Sequence, residues 1–204
     1  MKIKICGMKY PENIAEVAAL LPDFMGFICY EKSARFFDGE MPELPKLIKK
    51  VGVFVNENHE NIVLKIAKFK LDFVQLHGNE SVAFCRELQD ENIKIIKVFS
   101  INDDFDFSVL QQYESVCDYF LFDTKGLLPG GNGVTFNWDL LKNAQINKPL
   151  FLSGGIGIDE IERLKTLNLP IFAIDINSKF EDEIGLKNIE KLTVAKQLVA
   201  KKTS

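Results

Sequence analysis

The chain has 204 residues, of which 47% are apolar and 26% charged, enough for one sizeable core and short for two. Its net charge of −4 leaves no electrostatic footprint for nucleic acid. No apolar run approaches the roughly 20 residues of a membrane span, and the N-terminus leads straight into a strand-like segment, so the expected location is cytoplasmic.

The first strand-like run is KIKIC (2–6), followed by a helical pattern over 12–21. A second apolar run, FMGFICY (24–30), leads into MPELPKLIKK, whose two prolines make it a weak helix. Strands at 50–55 and 72–77 bracket a helix at 60–69, in which Ile62, Ile66 and Phe69 share one face. A helix at 81–90 and a strand at 93–99 come next. The stretch DDFDFSVLQQYES after that strand is poorly patterned, and a strand follows at 118–124. The chain ends with a strand at 149–154, a helix at 158–167, a strand at 171–176 and a helix at 186–202.

Several of these eight runs are apolar on nearly every residue, as a parallel sheet buried on both faces requires. Regular alternation in units of about 25 residues, without a linker or compositional break, implies one α/β domain over residues 1–204. Eight units suit a closed (β/α)8 TIM barrel acting as a single catalytic domain; an open doubly wound sheet is the alternative. In such a barrel the active site lies where strands end. Unusual residues gather there: Cys6-Gly7, Ser33 to Arg35, Gln75 to Gly78, Asp123-Thr124, Ser153 to Gly155 and Asp175 to Ser178. The opposite strand ends hold mainly Lys, Asp and Pro.

Four cysteines (Cys6, Cys29, Cys85 and Cys117) are scattered without a CxxC pair, and His59 and His77 are the only histidines. Free thiols are expected, and no metal site. Cys29, Cys85 and Cys117 read as packing residues. Cys6 ends strand 1 and Asp123 ends strand 6, three steps apart around an eight-strand ring, so the two face each other across the mouth. An acid and a base on opposite sides of a substrate are what a proton-shifting isomerisation needs. Each alone has a plain structural reading, packing for the thiol and loop capping for the carboxylate. The apolar YFLF before Asp123 is of the kind that raises a carboxyl pKa.

Gly154 and Gly155 precede a helix whose first turn carries Asp159 and Glu160. They make either a tight turn or, with the DINSKF loop after strand 8, a phosphate site. Arg35, flanked by aromatics, is either a solvated loop residue or a bidentate holder of a substrate carboxylate. His77 is a ligand contact or a hydrogen-bonded strand-end residue. PGGNGVTFNW (129–138) reads as a lid or wall, or as an exposed turn with Trp138 packed beneath it.

Together these segments resemble one family, the phosphoribosylanthranilate isomerases. The resemblance rests on Lys4-Ile5-Cys6-Gly7, on Gly26-Phe27 through Tyr30, Ser33 and Arg35, and on VGVFVNE (51–57) and VQLHGNE (74–80). It continues through Phe122-Asp123-Thr124, GGNGVTFNW, LSGGI and AIDINS (173–178), in family order over nearly the whole chain. It implies Cys6 as general base, Asp123 as general acid, and Arg35 on the anthranilate carboxylate. The phosphate would rest on the backbone of Gly154, Gly155, Asn177 and Ser178. The implied substrate is a small phosphorylated sugar, N-(5′-phosphoribosyl)anthranilate, rearranged without a metal or organic cofactor, and Gly7 would leave room for the sugar. A histidine-pathway isomerase, a ribulose-phosphate epimerase and a non-catalytic phosphometabolite-binding barrel are the other readings. The chain departs from the family pattern after strand 8, where Lys179 replaces a glycine, Ile184 a proline and Asn188 an aspartate. A glycine with positive φ there would leave Lys179 strained by about 1 kcal/mol. A monomer is expected, with a homodimer as the alternative.

Overall fold

The computed structural model describes residues 1–124, 138, 141, 144–166 and 169–200. Eight parallel strands close into a barrel in chain order: β1 (Lys2–Cys6), β2 (Phe24–Ile28), β3 (Lys49–Phe54), β4 (Phe73–Leu76), β5 (Ile95–Ile101), β6 (Tyr119–Thr124), β7 (Leu150–Ser153) and β8 (Ile171–Ile176). β8 pairs back onto β1 with Lys4 opposite Asp175. The open-sheet alternative is therefore set aside.

Among the described residues, the helices outside the barrel are α1 (Pro11–Ala19), α2 (His59–Phe69), α3 (Val82–Asp90), α4 (Leu110–Tyr113), α5 (Ile158–Thr166) and α6 (Ile189–Ala200). No helix forms between β2 and β3. Pro42 and Pro45 lack the N–H a helix needs and hold their neighbours extended; the segment instead sends Phe37 into the core. After β5 the weak pattern yields a 3₁₀ turn, Phe107–Val109, and the single turn of α4. The expected start of the last helix is instead a short hairpin of β9 (Glu181–Glu183) and β10 (Leu186–Lys187). Asn188, where the family pattern has aspartate, accepts a hydrogen bond from the Lys191 N–H at 2.8 Å and so caps α6. The glycine-rich run 129–137 lies outside the described residues; Trp138, just after it, is buried.

Inside the barrel, Phe24, Val51, Phe73, Ile96, Val98, Leu121, Phe151 and Ala173 form a core separate from the one under the helices. Phe24 anchors its lower end, with ring centroids 5.8 Å from Phe73 and 5.1 Å from Phe151. Three aspartates complete the N-terminal rim. Asp23, Asp72 and Asp118, each just before an even-numbered strand, accept the backbone N–H of Ile3, Lys50 and Ile95 on the preceding strand at 2.8–2.9 Å. That end of the barrel is spent on stability. Phe24→Ala should cost about 3–5 kcal/mol in chemical denaturation; a loss below about 1 kcal/mol would contradict the plug.

Candidate active site at the C-terminal mouth

Because side chains alternate along a strand, the residues that continue the inward phase above the apolar plug reach the C-terminal mouth. They meet in a cavity of about 210 Å³ lined by Cys6, Gln75, His77, Asp123 and Asp175 at its floor and walls. Ser153, Gly154 and Gly155 after β7, and Asn177, Ser178 and Lys179 after β8, form its rim. Cys6 and Asp123 thus share one cavity from opposed strands.

Gly154 and Gly155 have φ of +106° and +65°, a conformation that only glycine adopts without strain, and a Cβ on Gly155 would meet nothing within 4 Å. Their backbone is accordingly open to a ligand. The Glu160 carboxylate accepts the Gly157 N–H at 2.8 Å and fixes the start of α5 beside them. Lys179 sits in the 3₁₀ turn Ser178–Phe180 without a positive φ, so the strain expected there is absent. The left-handed residue of this loop is Gly185, at +85°.

His77 lies with Nε2 3.4 Å from Asp123 Oδ2. Gln75 Nε2 stands 3.3 Å from His77 Nδ1, which favours the tautomer with the proton on Nε2, facing Asp123. Histidine here has the partner that the sequence did not show. Arg35 is outside the cavity lining and already engaged. Glu181 takes its Nε at 2.9 Å and its Nη2 at 2.6 Å. Lys187 Nζ, wholly buried, meets the same carboxylate at 2.6 Å and Asn177 Oδ1 at 2.7 Å. Gly7, at φ +76°, makes room for this network: a Cβ there would stand 2.7 Å from Asn177 Oδ1 and 2.8 Å from Arg35 Cδ. The glycine that clears space around the thiol is Gly26, where a Cβ would stand 2.7 Å from Cys6 Sγ.

Below Cys6 lies a charge pair that the sequence reading missed. Lys4 Nζ donates to Asp175 Oδ2 at 2.8 Å, with both side chains buried. Lys4 shares the inward phase with Cys6, and Asp175 interrupts an apolar strand; an inward lysine in a barrel demands such a partner. Burial works against the Lys4 ammonium, but Asp175 and the Cys6 sulfur together hold its pKa above the ordinary value. Burial pushes the Cys6 thiol up, an effect that Lys4 and Lys187 oppose. Among the described residues no group of three or more His, Cys, Asp or Glu is placed to hold a metal ion, and no helix is long and apolar enough to cross a membrane.

A closed barrel with a thiol and a carboxyl across its mouth, and two glycine- and amide-rich loops at one rim, has the form of a (β/α)8 enzyme that handles small phosphorylated molecules. Sequence comparison narrows it. Residues 3–197 match the family model of N-(5′-phosphoribosyl)anthranilate isomerase, and the chain belongs to that family. It is 45% identical over 199 residues to the isomerase of that name from Parabacteroides distasonis, covering 94% of this chain and 90% of the relative. Identity to the corresponding Phocaeicola vulgatus protein is 43%, over 92% of each chain. The fold superposes on phosphoribosylanthranilate isomerase from Thermotoga maritima with a TM-score of 0.85 at 31% identity, over 96% of both chains. A further crystal structure of such an isomerase, in complex with reduced 1-(o-carboxyphenylamino)-1-deoxyribulose 5-phosphate, is similar at TM-score 0.84, with 28% identity over 97% of both chains.

Glu181 ties together three elements of this mouth, and its titration should register in stability. Burial raises its carboxyl pKa, but hydrogen bonds and charges from Arg35 and Lys187 outweigh that and hold it below the ordinary 4.5. A folded-state value below the unfolded one contributes stability above pH 4.5 or so, lost as pH falls through the folded value. Glu181→Gln should therefore cost about 3 kcal/mol or more at neutral pH, with the gap to the parent narrowing below pH ~4.5. Thermal denaturation of the two proteins across pH checks this; a gap that widens in acid would contradict it.

Proposed function

We propose that this chain is the isomerase of N-(5′-phosphoribosyl)anthranilate in tryptophan biosynthesis, working by acid–base catalysis between Asp123 and Cys6. The observation that carries the assignment of roles is the shared cavity: the two groups line one space, from strands on opposite sides of the ring. The substrate's phosphate rests on the backbone of Gly154, Gly155, Asn177 and Ser178, whose open amides and left-handed glycines suit an anion. Its anthranilate carboxylate takes the Nη1 edge of Arg35, since Glu181 occupies Nε and Nη2.

Asp123 donates a proton to the ribose ring oxygen, and the C1′–O bond breaks to give the open-chain Schiff base. The His77 Nε2–H beside Asp123 stabilises the carboxylate left behind. Cys6, as thiolate, takes the C2′ proton, and the electron pair moves toward the protonated nitrogen. The resulting enolamine tautomerises to the aminoketose, 1-(2-carboxyphenylamino)-1-deoxyribulose 5-phosphate. The substrate's own nitrogen is the electron sink, so the sequence of steps calls for no cofactor.

The barrel acts as one catalytic domain over residues 1–204, in the cytoplasm, where such a substrate would be made and used. A monomer is the working state: the exposed large apolar residues, among them Leu47, Leu64 and Ile184, are scattered along the chain. A homodimer is the alternative, since a similar structure from Thermotoga maritima is of monomers generated from a dimeric phosphoribosylanthranilate isomerase. Purified protein mixed with enzymatically generated phosphoribosylanthranilate should quench anthranilate fluorescence. Cys6→Ala and Asp123→Asn should each lower turnover by about 10²-fold or more while keeping the fold by circular dichroism. Near-normal turnover in either variant would overturn the assignment of roles.

A further inference from the structure

The reading of Cys6 as base raises a problem that the fold itself answers. A thiol with 5% residual exposure is poorly placed to ionise, because burial favours its neutral form. Yet the groups packed around it are not neutral. Lys4, two residues earlier on β1, sets its ammonium beside the same Gly26 gap as the Cys6 sulfur, where its charge favours the thiolate. Lys187 from β10 acts on the sulfur in the same sense, and Arg35, from the segment after β2, also feels its charge. Asp175 from β8 acts on it in the opposite sense. β2 contributes no charge; Gly26 stands opposite Cys6 in register, and its missing Cβ clears both Cys6 Sγ and Lys4 Nζ, which would lie 2.7 and 3.2 Å away.

We propose that Lys4 is a positioning residue for the Cys6 base, and that Asp175 sets how strongly it acts. The Lys4 ammonium stands between the two: Asp175 Oδ2 anchors it at 2.8 Å, and it shares the gap beside Gly26 with the Cys6 sulfur. Lysine is suited to the task because its three donors diverge from one charge. Held on Asp175, the ammonium stays protonated in a site where an isolated lysine would lose its proton. When substrate covers the mouth, water is excluded and the attraction between ammonium and thiolate strengthens. The thiolate then forms where the C2′ proton is presented. This inference rests on Cys6 as the base, but the electrostatics it invokes can be read without turnover.

The test is the pH profile of Cys6 alkylation by iodoacetamide, with the modified cysteine identified by peptide mass spectrometry, in the parent and three variants. Lys4→Met, similar in length and uncharged, should move the Cys6 ionisation upward by about one unit or more. Asp175→Asn, which keeps an acceptor for Lys4 but removes the carboxylate that holds it charged, should move it upward as well. Lys4→Met leaves Asp175 buried without its cation and is the variant at risk of not folding. The double variant Lys4→Met/Asp175→Asn removes both charges, and its Cys6 should ionise above the parent value. The acid limb of kcat/KM against pH should shift in the same directions. A purely structural role for the pair would lower the amount of folded protein and leave the Cys6 profile in place. An unchanged profile in Asp175→Asn together with the double variant overturns the proposal. Activity surviving in Cys6→Ala would overturn the base assignment instead, whatever the alkylation profile shows.

Discussion

The barrel closes where β8 pairs with β1, and at that seam a buried lysine stands opposite a buried aspartate. Lys4 and Asp175 are register partners, and their side chains meet at 2.8 Å inside the ring. A charge in that position is tolerated only because its counter-charge arrives from the far end of the chain; removing one partner of such a pair typically costs about 3–5 kcal/mol. The same contact fixes the phase of both strands. A one-residue slip would turn Lys4 and Cys6 outward and Asp175 away from the cavity. Fold closure and the placement of the Cys6 thiol in the mouth therefore depend on one interaction.

The two ends of the barrel use charge differently. At the N-terminal rim, aspartates accept backbone N–H groups of the neighbouring strand, and nothing is left for chemistry. At the C-terminal mouth the carboxylates face cations and the cavity. Glu181 holds Arg35 and Lys187 together, and Asp175 keeps one oxygen, Oδ1, buried without a hydrogen-bond partner among the described residues. A buried acceptor left unsatisfied on the cavity wall is costly. Stability is built into one end, and binding potential into the other.

Much of this was legible in the amino-acid sequence, for identifiable reasons. Apolar strand runs separated by amphipathic stretches gave the eight strands to within a few residues, because both faces of a parallel sheet are buried. The positions of Cys6, His77, Asp123 and the paired glycine loops at strand ends followed from that same ordering. Other features came from contacts distant in sequence. Glu181 lies 146 residues from Arg35, and Asp175 lies 171 from Lys4; no local pattern announces either pairing. The hairpin of β9 and β10 was hidden within a helical periodicity that runs from Leu186 onward. Gly7 and Gly26 could be separated only once their neighbours were known. Proline explains the missing helix after β2, although the apolar Leu44 and Leu47 there imitate a helical face.

We propose that one cavity orients the substrate between Cys6 and Asp123, with its phosphate over the loops after β7 and β8. A crystal structure of this protein with reduced 1-(o-carboxyphenylamino)-1-deoxyribulose 5-phosphate measures that orientation directly. The phosphate is expected on the amides of Gly154, Gly155, Asn177 and Ser178, the carboxylate beside Arg35, and C2′ in van der Waals contact with Cys6 Sγ. A ligand lying in the reverse direction, with C2′ away from both Cys6 and Asp123, would contradict it.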